Sequence, residues 1–311
     1  MVDFLKYEKD LFSPDKDWNY LSQNYPPPEK LYKYQSFYKN DNTKNPYWSG
    51  NLNGKFHMSL ACDFEDANDC EPHIDIKKVR EILEDYLKES LQEKIRIEEI
   101  KKIIDRDIVE DRITHIKKNF QEEIRIGCFT DSPNNEQMWE KYSDNKRGYC
   151  IEYDSSRHTL FTISTLPVIY TQHQYDLSSP YAFSIILEVV KKSGTKSYEE
   201  MIKCYNTYYK KILKMTYVPL FVKQPKWKFE REYRMFLLKH RNTIQGMITM
   251  DEILDENKNI DLSKSITGIY LGENFSQNKD SDNILSYIKA IARSKNITVY
   301  QKWENRAERI I

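Results

Sequence analysis

Two spacings of apolar residues alternate along this chain. Short runs with a period near two occur at Leu31–Phe37, Phe56–Leu60, Ile124–Thr130, Tyr149–Tyr153, Val168–Tyr170, Met247–Met250, Ser265–Gly272 and Ile297–Tyr300. Their aromatic and β-branched content suits strands. Between them lie stripes at three-four spacing, which predict helices. Val79, Ile82, Leu83, Tyr86 and Leu87 form one stripe, and Ile97, Ile100, Ile103 and Ile104 continue it. With no Pro or Gly between 73 and 126, residues 74–123 read as an insertion of two or three helices. Its role is structural support, with a partner-binding or coiled-coil role as the alternative. Phe183, Ile186, Leu187 and Val190 predict a further helix, followed by a second over Met201, Ile202, Tyr205, Tyr209 and Leu213. Residues 281–294 predict a last one.

Strands and helices mix without a regular βαβ alternation. The fold class is therefore α+β, with a mixed, mainly antiparallel β core, the long helical insertion and flanking helices. Residues 1–28, polar and aromatic with weak helical periodicity, end in Pro26-Pro27-Pro28 and read as an N-terminal arm. Residues 29–311 read as a single domain.

Charge narrows the function classes. Lys plus Arg and Asp plus Glu are each 48, so a bulk electrostatic footprint for nucleic acid is absent. No apolar run approaches the roughly 20 residues of a spanning helix, and the N-terminal residues show no signal-peptide core. A cytoplasmic protein without membrane contact is expected. The five cysteines are scattered and lack Cys-x-x-Cys pairs, so they read as reduced thiols rather than disulfides or zinc ligands. No Gly-x-Gly-x-x-Gly or Gly-x-x-x-x-Gly-Lys is present, which argues against Rossmann and P-loop nucleotide sites. The acidic stretch Cys62–Glu71 lacks the central Gly of a calcium loop and reads as an ordering turn.

One stretch concentrates candidate chemistry. If Phe229–Leu238 runs as a strand, Glu230, Glu232 and Arg234 share a face, with Phe236 and Leu238 behind them. Arg231, Tyr233, Met235 and Leu237 then share the other. A site and a salt-bridge ladder both fit that pattern. Trp139 and Tyr142 sit three apart on a short helix and suit either ring stacking or the core.

In order along the chain stand Leu31-Tyr32-Lys33-Tyr34, Ser59 at a strand end and the turn Phe64–Asp69. Cys128-Phe129-Thr130, Met138-Trp139-x-x-Tyr142 through Cys150, and Lys223-x-x-x-Trp227-x-x-Glu230-x-Glu232-Tyr233-Arg234 follow. Over residues 31–272 this series resembles the bacterial family called domain of unknown function 2971. Glu65 and Ala67 depart from that family's turn, where Asn and Pro are usual. The series Lys33, Ser59, Glu230-x-Glu232 also resembles the ADP-ribosyltransferases, with Lys33 in place of the more usual His or Arg.

That second resemblance implies NAD as a substrate, an unidentified protein or nucleic-acid acceptor, and the role of a bacterial toxin or phage-defence effector. It implies Glu232 as the carboxylate that stabilises positive charge on the ribose and Glu230 as the group that orients or deprotonates the acceptor. Lys33 or Arg234 would hold the pyrophosphate, Ser59 the ribose, and Tyr34, Trp139 or Tyr142 would complete the pocket. No metal is expected. On this reading Glu232→Gln abolishes activity and leaves the melting temperature nearly unchanged; a charge network that only fixes the β core predicts loss of the fold instead. A non-enzymatic sensor of a nucleotide or protein is the alternative. A nuclease drawing on Glu230, Glu232 and Asp66 or Asp69 is the third.

Overall fold

The computed structural model describes residues 2–39, 41, 43–66, 68–89, 110, 111, 113–115, 117, 118, 122, 124–173, 175–192, 214–238, 253–303 and 306–311. The second half of the 74–123 region, the helix expected over 201–213 and the strand expected at Met247–Met250 lie largely or wholly outside these residues.

The strands are β1 (Lys30–Gln35), β2 (Lys55–His57), β3 (Ser59–Leu60), β4 (Ile124–Thr130), β5 (Tyr149–Asp154), β6 (Thr165–Pro167) and β7 (Ile169–Tyr170). After them come β8 (Val222–Lys223), β9 (Glu232–Leu238), β10 (Asn259–Asp261), β11 (Ile266–Leu271), β12 (Thr298–Trp303) and β13 (Arg306–Arg309). The main sheet runs β13-β12-β11-β5-β1-β4-β9-β6, with β3 also paired to β4. All its pairings are antiparallel except β11 with β12. The fold is therefore α+β with a mixed, mostly antiparallel sheet.

The helices are α1 (Phe4–Phe12), α2 (Trp18–Asn24), α3 (Trp48–Leu52), α4 (Ile76–Glu89), α5 (Glu136–Tyr142), α6 (Thr159–Ser164), α7 (Ser178–Lys192) and α8 (Ser281–Lys295). Among the described residues no helix is long and apolar enough to cross a membrane.

Strand alternation sends residues of one sheet to two cores. Leu31, Phe129, Tyr153, Tyr233, Met235 and Leu237 enter one core, closed by α8 through Ile284 and Ile288. Ile124, Ile126, Leu166 and Phe236 enter the other. That second core is completed by the segment expected as an arm. Tyr7 and Leu11 of α1 and Trp18 and Leu21 of α2 are buried in it. Asp3 and Asp17 cap the two helices by accepting backbone N–H bonds, at 3.1 Å from Lys6 and 2.8 Å from Tyr20. Lys214 clamps the far end of α1. Its buried ammonium donates to the carbonyls of Asp10 (3.3 Å), Leu11 and Ser13 (2.8 Å) at the C-terminal end of the helix. α4 and α7 pack together over Val79, Leu83, Tyr181 and Ile185, and Ile113, also of the helical insertion, joins this core.

Two expected strands are reshaped, and both changes build the site. The run Phe56–Leu60 splits at Met58. Phe56 pairs with Ile260 of β10, whereas Ser59 pairs with Ile126 of β4. Gly127 permits the crossing, since a Cβ there would lie 2.5 Å from Phe56 and 2.8 Å from Met58. The strand expected to start at Phe229 starts at Glu232 instead. Pro225–Glu230 forms a 3-10 turn, and Arg231 ends it in the left-handed region with φ 46°. An arginine takes that conformation at a cost; its guanidinium is held 2.5 Å from Asp131.

Candidate functional site

β1 and β4 share the single register pair Tyr32–Thr130, while β3 pairs with the start of β4. The sheet is thus open beside Cys128, and a cavity of about 250 Å³ occupies the opening. Lys33, Tyr34, Ser59, Tyr142, Glu230, Glu232 and Arg234 all line it. Lys33, Ser59 and Glu232, far apart in the chain, meet there because β1, β3 and β9 all flank β4.

At its base is a buried charge cluster. Alternation along β9 places Glu232 and Arg234 on the cavity side and Tyr233 and Met235 in the opposite core. Glu230 reaches the same side from the 3-10 turn, not from the strand. Lys223 folds back onto both. Its Nζ lies 2.5 Å from Glu230 Oε2, 3.1 Å from Glu232 Oε2 and 3.2 Å from Asp69 Oδ2. Asp69 comes from the acidic turn, whose Phe64, Asp66 and Asp69 line the cavity.

Arg234 is fully buried and spent on this cluster. Nε donates to Glu232 Oε1 at 2.8 Å and Nη2 donates to Glu232 Oε2 at 3.1 Å and Asp69 Oδ2 at 2.7 Å. Nη1 donates to the Leu220 carbonyl at 2.7 Å and to Cys70 Sγ at 2.9 Å. Each guanidinium N–H has an acceptor. Arg234 is therefore a positioning residue for Glu232 and Asp69 and has no donor left for a ligand pyrophosphate. Lys33 differs. Among the described residues its ammonium has no carboxylate partner, and it sits 5.8 Å from the Phe56 ring centroid.

The two glutamates are driven apart. Burial opposes the charge on Glu232, yet Arg234 and Lys223 outweigh it and hold the carboxyl far below the usual range. Burial and then the Glu232 charge push Glu230 upward, only partly offset by Lys223 and by the Tyr142 hydroxyl, which donates to Oε1. Lys223 is held well above the ordinary lysine value. Burial would lower it, but the carboxylates of Glu232, Asp69 and Glu230 prevail over Arg234. Glu232 is thus a fixed anion, and Glu230, raised above the ordinary glutamate value, is the carboxyl of the two that takes up a proton more readily.

The aromatic residues divide differently from expectation. Trp139 does not line the cavity. It is buried in the small core with Tyr32, Tyr34, Cys150 and Tyr270. Its Nε1 donates to the Pro133 carbonyl at 2.8 Å, and Tyr34 meets its ring edge-on at 5.0 Å. Asn135 caps α5 by accepting from the Met138 N–H, which turns Trp139 inward and Tyr142 toward Glu230. Tyr34 walls the cavity, but its hydroxyl already donates to the Ser132 carbonyl at 2.9 Å.

Lys223, Asp69 and Trp227 have no counterpart among the residues that the ADP-ribosyltransferase resemblance implies. Lys223 and Trp227 stand in the same motif as the glutamates, which was the signal for them. Asp69 was visible only as one acid among several in a turn.

No curated protein and no solved structure matches the chain. The resemblance carried by Met138–Cys150 and Lys223–Arg234 is borne out: residues 138–235, which hold α5, Lys223 and the Glu230–Arg234 cluster, match the family model described as Protein of unknown function (DUF2971).

Proposed function

We propose that this protein cleaves the glycosidic C–N bond of a nicotinamide nucleotide such as NAD and passes the ribosyl group to water or to an acceptor. The observation that supports it is the division of labour between Glu230 and Glu232 in a cavity that also holds Lys33 and Ser59. As the bond from ribose C1′ to nicotinamide nitrogen breaks, its electron pair leaves with nicotinamide and positive charge grows on the ribose. The permanent anion of Glu232, itself buried at the base of the cavity, stabilises that charge. Glu230 takes the proton of the incoming O–H or N–H as the new bond to C1′ forms. Ser59 positions a ribose hydroxyl, and Lys33, which has no carboxylate partner among the described residues, holds the adjacent phosphate.

As in the reading of the motif alone, Glu230 handles the acceptor's proton; of the two residues that reading offers for the pyrophosphate, Lys33 and Arg234, the role goes to Lys33. A nuclease would need a divalent cation among Asp69, Glu230 and Glu232, where the Lys223 ammonium already stands. A toxin or defence role is the biological setting such a reaction suits.

Incubation of the purified protein with NAD labelled in the nicotinamide and in the adenylate half, with and without cell extract, tests the reading. Free nicotinamide is expected, with adenylate label appearing as ADP-ribose or on a macromolecule. Intact NAD under all conditions would refute it, and calorimetric binding of unreacted NAD would then establish the sensor alternative.

A further inference from the structure

The cavity of about 250 Å³ lies below the usual range for a ligand the size of a drug molecule, and a dinucleotide is larger still. A substrate of the proposed class must therefore leave one half outside. At the mouth stands Trp227, half-buried and cavity-lining, on the 3-10 turn that carries Glu230. Its orientation is fixed. Nε1 donates to Asp66 Oδ2 at 2.6 Å, while Asp66 Oδ1 accepts from the Asn68 N–H at 3.1 Å. The Asp66 carboxyl is itself nearly buried, at 8 % exposure. Lys223 Nζ lies 5.2 Å from the indole ring but is committed to the buried carboxylates, and two further cations flank the ring: Lys141 Nζ at 4.7 Å and Lys226 Nζ at 5.3 Å. Both have partners, Glu65 at 3.0 Å and Asp66 at 3.2 Å. Glu65 is 78 % exposed and Lys226 58 % exposed, so these are weak pairs that an incoming phosphate can replace.

We propose that Trp227, set by Asp66 and flanked by Lys141 and Lys226, is a second subsite that takes the base and phosphate of a nucleoside diphosphate lying outside the cavity. The indole supplies a flat apolar surface for a heteroaromatic base, and the lysines supply charge at the distance of its phosphates. The subsite rests on the proposed reaction for its place in catalysis but not for its existence. It assigns Trp227 the stacking role that buried Trp139 cannot fill. Trp227 is a ligand-binding residue on this assignment and Asp66 a positioning residue.

Binding of ADP to the full chain tests it, read by calorimetry and by the indole N–H resonance of Trp227, assigned by its loss in Trp227→Phe. ADP is expected to shift that resonance and to bind at least tenfold more weakly to Trp227→Ala. The paired variant Lys141→Gln with Lys226→Gln, both on the exposed rim, is expected to lose about as much and to flatten the salt dependence of binding. Trp227→Phe, which keeps a ring, retains most of the affinity. The subsite is overturned if ADP leaves the Trp227 resonance unmoved, if both sets of variants bind ADP like the wild type, or if a single-stranded oligoadenylate binds more tightly than ADP. If Trp227→Ala does not fold, the lysine pair decides alone. ADP binding without NAD cleavage refutes the reaction and leaves the subsite standing. NAD cleavage with an unchanged KM in Trp227→Ala refutes the subsite and leaves the reaction standing.

Discussion

Arg234 grips both carboxylate oxygens of Glu232, at 2.8 Å through Nε and 3.1 Å through Nη2, and both side chains are buried. In so buried a pair the two charges depend on each other. Taking one away leaves the other desolvated without a partner, at about 3–5 kcal/mol.

Glu232→Gln is accordingly expected to lower stability by several kcal/mol, measured by urea unfolding. This reverses the expectation from the motif alone of a nearly unchanged melting temperature. Catalytic and structural roles converge on this residue, so its activity loss must be read beside its stability. The pH dependence has a definite sign. The Glu232 carboxyl is lowered by folding, so its contribution is complete above the unfolded value near pH 4.3 and is lost as acid is added below it. A Glu232→Gln protein should lack that part of the acid sensitivity, as paired titrations from pH 6 to pH 2 would reveal.

Trp139→Ala is expected to cost about 3–5 kcal/mol, since it empties a fully packed site and strands the Pro133 carbonyl. Trp139→Phe, which fills most of the space, is expected to restore much of the stability and to leave ligand affinity unaffected. Weaker ligand binding by a fully folded Trp139→Phe would place the indole in the site after all.

Lys214 offers a test of how the N-terminal helices are held. Burial lowers its pKa to about 8, against partial support from Asp10 and Asp17. A lysine lowered by folding binds its proton more tightly in the unfolded chain. Stability should therefore rise as pH increases from 8 toward the unfolded value near 10.4, by at most about 3 kcal/mol. Comparison of the wild type with Lys214→Met over pH 8–10 isolates that rise, which the variant should lack.

Most of the architecture could be read from apolar spacing, because strands and helices buried on one face must repeat at two or at 3.6. The alternation of Glu232, Arg234 and Phe236 against Tyr233, Met235 and Leu237 was legible for that reason. What escaped depended on backbone turns without a periodic signature. Arg231 takes a positive φ with no glycine to announce it, and Glu230 therefore approaches the cavity from a 3-10 turn. The break at Met58 depends on β10, roughly two hundred residues away in sequence. The N-terminal helices are short and aromatic, and their helical state is fixed by the core they enter more than by their own spacing. At the site, residue types and order were visible, but burial was not. Burial is what converts Arg234 from a ligand candidate into a counter-ion, and that counter-ion, with Lys223, divides the two glutamates.

The central claim is that Glu230 exchanges the proton while Glu232 stays charged. Its most direct test is the pH profile of nicotinamide release from NAD by the wild type, Glu230→Gln and Tyr142→Phe. Glu230→Gln should lose at least a hundredfold in kcat for transfer to an acceptor while remaining more stable than Glu232→Gln. The wild-type profile should carry an acidic limb above the ordinary glutamate range. In Tyr142→Phe, which removes a hydrogen bond favouring the Glu230 anion, that limb should move to higher pH by about one unit. A folded Glu230→Gln protein with undiminished activity, or a limb that stays in place in Tyr142→Phe, would contradict the assignment.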